Sequence, residues 1–171
     1  QLARRALMTD RTRLRNRLQS QDHTLLKDQS RAQLAQIERQ IGEIDAEIAA
    51  VTTADAELAR KRQILCSIPG IGRGAAAAIL ALVPEIGGIG RKQLASLAGV
   101  APHVRSSGEW TGKTFVQGGR KPLRDALYMP ALVAARFNPD LKAKYTTLRD
   151  AGKPPKVAII AILRKLLELA N

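Results

Sequence analysis

The residues whose types and spacing point most directly to a ligand form a glycine-rich stretch that occurs twice. Residues 68–80, IPGIGRGAAAAIL, return in looser form at residues 86–98, IGGIGRKQLASLA. In the first copy a Gly-Ile-Gly turn at 70–72 precedes an alanine-rich helix that begins near Arg73. Glycines let the backbone approach another molecule closely, and a helix N-terminus offers unpaired N–H groups to a phosphate. The pattern is typical of a helix-hairpin-helix element. It predicts contacts to the phosphates of the DNA backbone that do not depend on the base sequence.

The same turn also has a purely structural interpretation, since glycines at such positions can simply join two packed helices. In the second copy, Gly87 and Gly88 can equally form an ordinary helix-ending loop. We therefore expect the phosphate contact at the first copy, between residues 70 and 73.

A second segment with chemistry-bearing side chains spans residues 103–124. It contains Ser106 and Ser107 before Gly108, among several cationic side chains. A serine hydroxyl is a poor nucleophile until a base or a metal assists it, and nearby cations can neutralise charge that develops on a phosphate. A Ser-Ser-Gly sequence is equally typical of a turn. The residues alone therefore single out no nucleophile.

Cations at the start of a predicted helix add to the phosphate prediction. Arg120, Lys121 and Arg124 oppose the dipole of that helix, which a protein tolerates best when an anion lies beside them. Tyr128, further along the same helix, has apolar neighbours and is interpreted as a core residue rather than a nucleophile. The predicted phosphate contacts are Gly70, Ile71, Gly72, Arg73, Arg105, Lys113, Arg120, Lys121 and Arg124.

The charge distribution supports a polyanionic partner and indicates its position. The chain carries 28 Lys and Arg residues against 15 Asp and Glu residues, for a formal net charge of +13. Residues 1–60 contribute a net +1 and residues 61–171 a net +12. Only 3% of the residues are aromatic, which argues against a platform that stacks single-stranded bases. Double-stranded DNA is therefore the expected partner of the C-terminal two-thirds.

The composition also indicates the cellular compartment in which the protein is expected. The sequence shows no signal peptide and no apolar run near 18 residues, so we expect no membrane partner. The single cysteine, Cys66, excludes an internal disulfide and is expected to be a small buried apolar residue in a reducing compartment. We expect a cytoplasmic protein.

The first third is predicted to be a coiled-coil helical hairpin. Apolar residues recur at heptad spacing, the phase breaks at residues 28–30, and alternating steps of three and four follow. Two such helices with a short polar connection are expected to be antiparallel and to associate with another copy. Residues 52–55 are predicted to cap and restart the helix, which then continues the arm over 56–67 into the glycine hairpin. The seam residues are Leu7, Leu14, Leu18, Leu25, Leu34, Ile37, Ile41, Ile44, Ile48, Val51 and Leu58.

The remainder is predicted to be a helical domain with one small β-hairpin. Strand-forming residues at 110–111 and 114–116 surround Gly112, which places the hairpin there. Helices are expected at about 91–98, 121–136 (bent at Pro130), 139–150 and 155–170. The expected fold is mainly α, with a coiled-coil hairpin at 1–60 and a helix-hairpin-helix-containing domain at 61–171.

Several spaced motifs, taken in order, carry a family resemblance. PGIG is followed by LAGVAP, Ser-Ser-Gly, a Gly-Lys pair, Gly-Gly-Arg, a Leu-Arg-x-x-Leu-Tyr-Met segment, Asn-Pro and a final Arg-Lys-Leu. From about residue 64 to residue 167 this order resembles the C-terminal domain of the IS-one-ten (Piv-type) insertion-sequence transposases. These are bridge-RNA-guided DEDD recombinases, in which a coiled coil similar to residues 1–60 leads back to a RuvC-like nuclease domain.

The resemblance implies site-specific DNA recombination at a composite active site. Magnesium and four acidic ligands would come from the RuvC-like domain, which residues 1–171 do not include, and no metal site is expected in this chain. The family's serine nucleophile falls on Ser107, with Ser106 as its competitor one position away. A guide RNA held mainly elsewhere would select the target, and the coiled coil would make a homo-oligomer. The family resemblance of residues 64–167 also implies a nucleoid-associated protein of a bacterium or an archaeon. By themselves, residues 1–171 are expected to cleave no DNA.

Two other classes of protein fit the same residues. One is a helix-hairpin-helix module that binds duplex DNA without any covalent step. The other is an assembly scaffold in which the coiled coil dimerises and the basic surface is incidental. Steep salt dependence of DNA binding would exclude the scaffold, and a covalent DNA adduct would exclude the simple module.

Overall fold

The computed structural model describes residues 1–104 and 114–171 fully, and residues 106–107 and 110–111 as backbone strands. It divides into two compact units, Gln1–Ala59 and Arg60–Asn171. In the described part the helices are α1 Leu2–Ser20, α2 Thr24–Ala54, α3 Ala56–Ser67, α4 Arg73–Leu82, α5 Arg91–Leu97, α6 Lys121–Phe137, α7 Pro139–Asp150 and α8 Pro155–Ala170. The strands are β1 Pro102–His103, β2 Ser106–Ser107, β3 Trp110–Thr111 and β4 Phe115–Val116. The mainly α prediction is thus confirmed.

The first unit is built on an antiparallel pair of helices. Arg4 donates to the Asp45 carboxylate, with 3.0 Å between Nη2 and Oδ2, and Arg15 donates to Glu38 at 2.8 Å. These pairs require α1 and α2 to run in opposite directions. Of the predicted seam, Leu14 and Ile41 are the most deeply buried apolar side chains, so the seam buries only a narrow stripe.

The position predicted for the helical break is wrong. The chain turns at residues 21–23, and α2 continues through residues 28–30 without interruption. Ser30 is buried there, and its hydroxyl donates to Oε1 of Gln21 at 2.8 Å, which ties the turn to α2. Because the turn comes earlier, Leu25 lies in the first turn of α2 and is exposed instead of joining the seam.

The predicted cap at the end of the hairpin is confirmed. Asp55 interrupts the helix, and its Oδ1 accepts hydrogen bonds from the backbone N–H groups of Glu57 at 2.8 Å and Leu58 at 3.1 Å. These bonds satisfy two of the free donors at the start of α3. The prediction that Cys66 is buried is wrong: Cys66 is exposed, because the adjacent Leu65 occupies the face of α3 that enters the core.

The second unit surrounds α6, which packs against α4, α7 and α8, while α5 packs against α8. The buried apolar side chains of its core are all aliphatic within the described residues, and alanines at positions 131, 134 and 135 of α6 let neighbouring backbones come close. Helix α7 begins where Oδ1 of Asn138 accepts the N–H of Leu141 at 3.3 Å. Tyr128 is half-buried against this core, as predicted.

The strands pair differently from the prediction. A hairpin about Gly112 would pair residues 110–111 with 115–116. Instead β1 pairs with β4, with Pro102 opposite Val116, and β2 pairs with β3, with Ser107 opposite Trp110. The strand-forming residues were identified correctly, but their antiparallel partners are Pro102, His103 and the two serines, which have no strong strand propensity.

Candidate nucleic-acid interface

The first glycine turn is fixed by packing against α6. Gly70 has a φ of +110°, and a Cβ built on it would lie 2.6 Å from Cβ of Ala134 and 3.0 Å from the Pro130 carbonyl oxygen. Ile71 is buried, and its N–H donates to the Ile68 carbonyl at 2.9 Å. Gly70 and Ile71 therefore satisfy the structural interpretation of the turn, because both are held by the core of the protein.

The open part of this turn is its second half. Gly72 is the extended residue before α4, with φ −86° and ψ 174°, and a Cβ placed on it would meet nothing within 4 Å. Arg73 is exposed and has no ion-pair partner in the described parts of the chain. The first N–H groups of an α-helix have no partner within the helix, so α4 presents donors beside a free guanidinium group.

The second glycine turn has its backbone groups occupied by the protein itself. The carboxamide of Asn171 accepts the Gly87 N–H at 3.1 Å and donates to the Ile89 carbonyl at 2.8 Å. Oε1 of Gln93 accepts the Gly90 N–H at 3.2 Å. These bonds favour the interpretation of the second copy as a structural loop.

Arg120 faces an acidic partner across the domain. Its guanidinium group donates to both carboxylate oxygens of Glu85, at 3.0 and 3.2 Å, and also to the Leu82 carbonyl. The hydrogen bonds from Arg120 lower the pKa of Glu85 below its usual range, and the same contact raises the pKa of Arg120. The backbone N–H of Arg120 donates to the Leu97 carbonyl at 2.6 Å. Its charge is thus balanced within the protein.

Arg124 binds backbone carbonyls. One of its nitrogens, Nη1, lies 3.3 Å from the carbonyl oxygen of Ala98, 3.2 Å from that of Gly99 and 2.8 Å from that of Gly118. The side chain is partly buried. Lys121, by contrast, is exposed and pairs with Asp125 at 2.7 Å, one helical turn away.

Three of the predicted site residues, Arg105, Ser107 and Lys113, have side chains outside the described residues. For Ser107 the backbone strand β2 and its pairing with Trp110 are described. The described part of the structure therefore brings together Arg120, Arg124 and the base of the segment that contains Ser107, while Gly72 and Arg73 form a separate exposed surface.

Sequence reasoning missed the residues that engage the two arginines. Nothing in the spacing of Glu85 from Arg120 indicates a contact, because the two residues are 35 positions apart. Gly99 and Gly119 carried a weak signal, because glycines that follow a short helix or precede the next one are typical of left-handed turns; both have positive φ, +66° and +64°.

Much of the positive charge in the second unit is unbalanced. Beside the arginines that bind protein acceptors, several exposed cations form no ion pair within the described ranges. They are Arg73, Arg91, Lys92, Arg136, Lys142, Lys144, Lys153 and Lys156. Such charges favour an anionic partner over a second protein surface of the same sign.

The described residues show neither a cluster of metal ligands nor a membrane-spanning helix. In residues 1–104 and 114–171 no three His, Cys, Asp or Glu side chains come together as a metal site. No helix there is both long enough and apolar enough to cross a membrane.

The comparisons with known proteins point to transposases. Residues 62–146 match the model of the Transposase IS116/IS110/IS902 family. This part of the chain is therefore similar to a transposase domain of that family. Among the curated relatives, the pilin gene-inverting protein of Moraxella lacunata is 34% identical over 135 residues, which are 76% of this chain and 42% of that protein.

Two insertion-element proteins are also similar. The IS900 uncharacterized 42 kDa protein of Mycobacterium paratuberculosis is 31% identical over 146 residues, 80% of this chain and 36% of that protein. The IS110 uncharacterized 43.6 kDa protein of Streptomyces coelicolor is 30% identical over 108 residues, 62% of this chain and 27% of that protein. The chain thus spans less than half the length of the curated relatives it matches.

Proposed function

We propose that this chain is the DNA-binding and nucleophile-bearing part of a DNA recombinase. Ser107 attacks a scissile phosphodiester and forms a transient phosphoserine link, which preserves the bond energy for rejoining. The serine hydroxyl loses its proton as Oγ forms a bond to phosphorus, the bond from phosphorus to one DNA oxygen breaks, and the departing oxygen takes up a proton. The observation that carries the proposal is the family match over residues 62–146, which includes Ser107.

Charge and geometry support duplex DNA as the partner. The unit that carries Ser107 holds nearly all of the excess positive charge. Within it, Gly72 is exposed with open space at its α-carbon, and Arg73 has no protein partner in the part that the structure describes. We assign these two residues to the DNA backbone near the reacting phosphate, with Arg105, Lys113 and Lys121 as further phosphate contacts beside Ser107.

The magnesium implied by the family does not fit the described residues of this chain. They contain no group of three metal-ligating side chains, and residues 61–171 carry a net charge of +12. We propose that the metal is held by the acidic residues of a RuvC-like domain. From the same resemblance we propose that a guide RNA, bound mainly elsewhere, selects the target, and that α1 and α2 contribute to a homo-oligomer.

The proposed attack by Ser107 is tested by identifying the peptide to which DNA becomes covalently attached. The chain, joined to a RuvC-like domain of its family, is incubated with nicked target DNA and digested with nuclease and trypsin. Trypsin cuts after Arg105 and Lys113, so we expect the residual nucleotide on the peptide 106–113, with fragmentation placing it on Ser107. A nucleotide on any other peptide, or none on any peptide under conditions where strands are exchanged, would contradict the proposal.

Salt dependence tests the duplex contact with the 171-residue chain alone. We expect duplex binding to weaken steeply with salt, and Arg73→Gln to reduce the slope of log K against log[salt] by about 1, because one phosphate contact is lost. Fluorescence anisotropy of a labelled duplex measures both slopes. Arg39→Gln, which removes one exposed charge from α2, is the matched control and should leave the slope unchanged. Equal slopes for wild type and Arg73→Gln would show that Arg73 does not contact a DNA phosphate.

The two rival classes give different results in these assays. A scaffold with an incidental basic surface would bind duplex DNA weakly, with no difference between the Arg73 and Arg39 variants. A simple binding module would show the salt dependence but no covalent peptide. Only the recombinase gives both the salt-dependent binding and the phosphoserine.

A further inference from the structure

We propose that Arg124 is a positioning residue, which holds together the two ends of the segment that carries Ser107, rather than a ligand of the DNA phosphate. The inference deepens the proposed function and rests on it for the role of Ser107. The segment leaves α5 through Gly99 and returns to α6 through Gly118 and Gly119. Arg124 lies where these two ends meet.

The hydrogen bonds of Arg124 join the two ends directly. On the outgoing side Nη1 reaches the carbonyl oxygens of Ala98 and Gly99, and on the returning side it reaches that of Gly118. Two hydrogens on one nitrogen are thus shared among three acceptors from both ends. Carbonyl groups at the end of a helix have no intrahelical N–H partner and need other hydrogen-bond donors. A guanidinium group supplies several donors in a fixed planar geometry that an ammonium group cannot reproduce.

The backbones at this point are too close for any other residue. A Cβ on Gly119 would lie 2.6 Å from Cα of Gly99 and 2.6 Å from the Leu97 carbonyl oxygen, and one on Gly99 would overlap the Arg124 guanidinium group and the Gly118 carbonyl. The Arg120 N–H also bonds to the Leu97 carbonyl across the same point. We call this arrangement of Gly99, Gly118, Gly119 and Arg124 the stem clamp.

The strands continue outward from the stem clamp toward Ser107. Immediately beyond it β1 pairs with β4, and the rings of His103 and Phe115 lie 6.2 Å apart between centroids. Farther along the segment β2 pairs with β3, with Ser107 opposite Trp110. Because each strand has only two residues, the direction of this ribbon depends on how its two ends are held at α6.

A guanidinium group with one nitrogen shared among three carbonyl oxygens is a poor candidate for a phosphate ligand. Releasing Arg124 to DNA would leave those carbonyls without their donor, at the cost of an unsatisfied polar group. Arg120 is engaged in the same way by Glu85. Lys121 pairs with Asp125 only through an exposed contact one helical turn away, which a phosphate can replace at little cost. Lys121 therefore stays a proposed phosphate contact, together with Arg105 and Lys113 of the segment itself.

Hydrogen exchange of the 171-residue chain tests the stem clamp without DNA. We expect Arg124→Gln and Arg124→Lys to speed amide exchange in residues 102–116 by about 10-fold or more. Without the hydrogen bonds of Arg124, local opening of this segment costs less free energy. Trp110 is the single tryptophan, and its emission should change in both variants. The far-UV dichroism of the helices should not change. Arg136→Gln, an exposed position on the same helix, is the matched control and should alter none of these signals.

Three results would overturn this role. One is unchanged exchange of residues 102–116 in both Arg124 variants. Another is loss of the helical signal in both, which would make Arg124 a support of the whole core. The last is a smaller slope of log K against log[salt] for duplex binding, combined with unchanged amide exchange of residues 102–116. That result would mean that Arg124 contacts the DNA phosphate. If Ser107 proves not to be the nucleophile, the exchange result stands unaffected, so failure of the function and failure of the clamp are distinguishable.

Discussion

Replacing Ser107 with alanine is expected to reduce the covalent protein–DNA adduct by at least about 1000-fold, because alanine has no oxygen that could attack the phosphorus. Duplex affinity should stay within about twofold, since the hydroxyl is one neutral group among many cationic contacts. The adduct is measured by gel shift under denaturing conditions, with the chain joined to a RuvC-like domain, and affinity is measured by anisotropy.

Ser106→Ala is the matched control for this prediction. The two serines are adjacent positions of β2, and we propose the second of them as the nucleophile. We expect Ser106→Ala to retain the adduct. If the adduct disappears in Ser106→Ala and persists in Ser107→Ala, the nucleophile lies one position earlier than we propose.

Replacing Gly70 with alanine is expected to destabilise the second unit by about 2–5 kcal/mol, through the unfavourable positive φ and the forced contact with α6. The new methyl group would lie against Cβ of Ala134 and the backbone oxygen of Pro130, and neither can move without moving the helix. In a unit of this size the midpoint of thermal unfolding should fall by roughly 10 °C or more. Far-UV circular dichroism during heating measures this midpoint.

Gly74→Ala separates this packing effect from any general effect of losing a glycine. Gly74 lies in the first turn of α4, and a methyl group added to its α-carbon would have no other atom within 4 Å. Alanine at this position should therefore stabilise the helix by up to about 1 kcal/mol. A midpoint for Gly70→Ala equal to that of Gly74→Ala would show that the turn does not depend on its contact with α6.

How far the sequence predicted the fold depends on the range of each interaction. Local signals succeeded: the Asp55 cap, the helix at 139–150 and the helix at 155–170 match α3, α7 and α8 closely. The connection in the first unit was misplaced because residues 28–30 are polar, yet polar residues are equally suited to the exposed face of a long helix. Only the pairing of α1 with α2 decides where the turn falls.

The candidate site followed the same rule. The glycine turn was recognised from its local pattern, but its sequence could not show that Gly70 faces α6 while Gly72 faces solvent. The acceptors of Arg120 and Arg124 come from positions up to 38 residues away, so a list of cations could not distinguish those that bind the protein from those free to bind DNA. Strand propensity found the β residues but not their register, which depends on the two ends being brought together.

One helix carries both of the proposed DNA-contacting elements. The N-terminal part of α6 holds the base of the Ser107 segment through Arg124, and its C-terminal part holds the glycine turn through Ala134. About ten residues of helix separate these points, which corresponds to about 15 Å. Because both elements are held by the same helix, a shift of α6 would move the base of the segment and the glycine turn together.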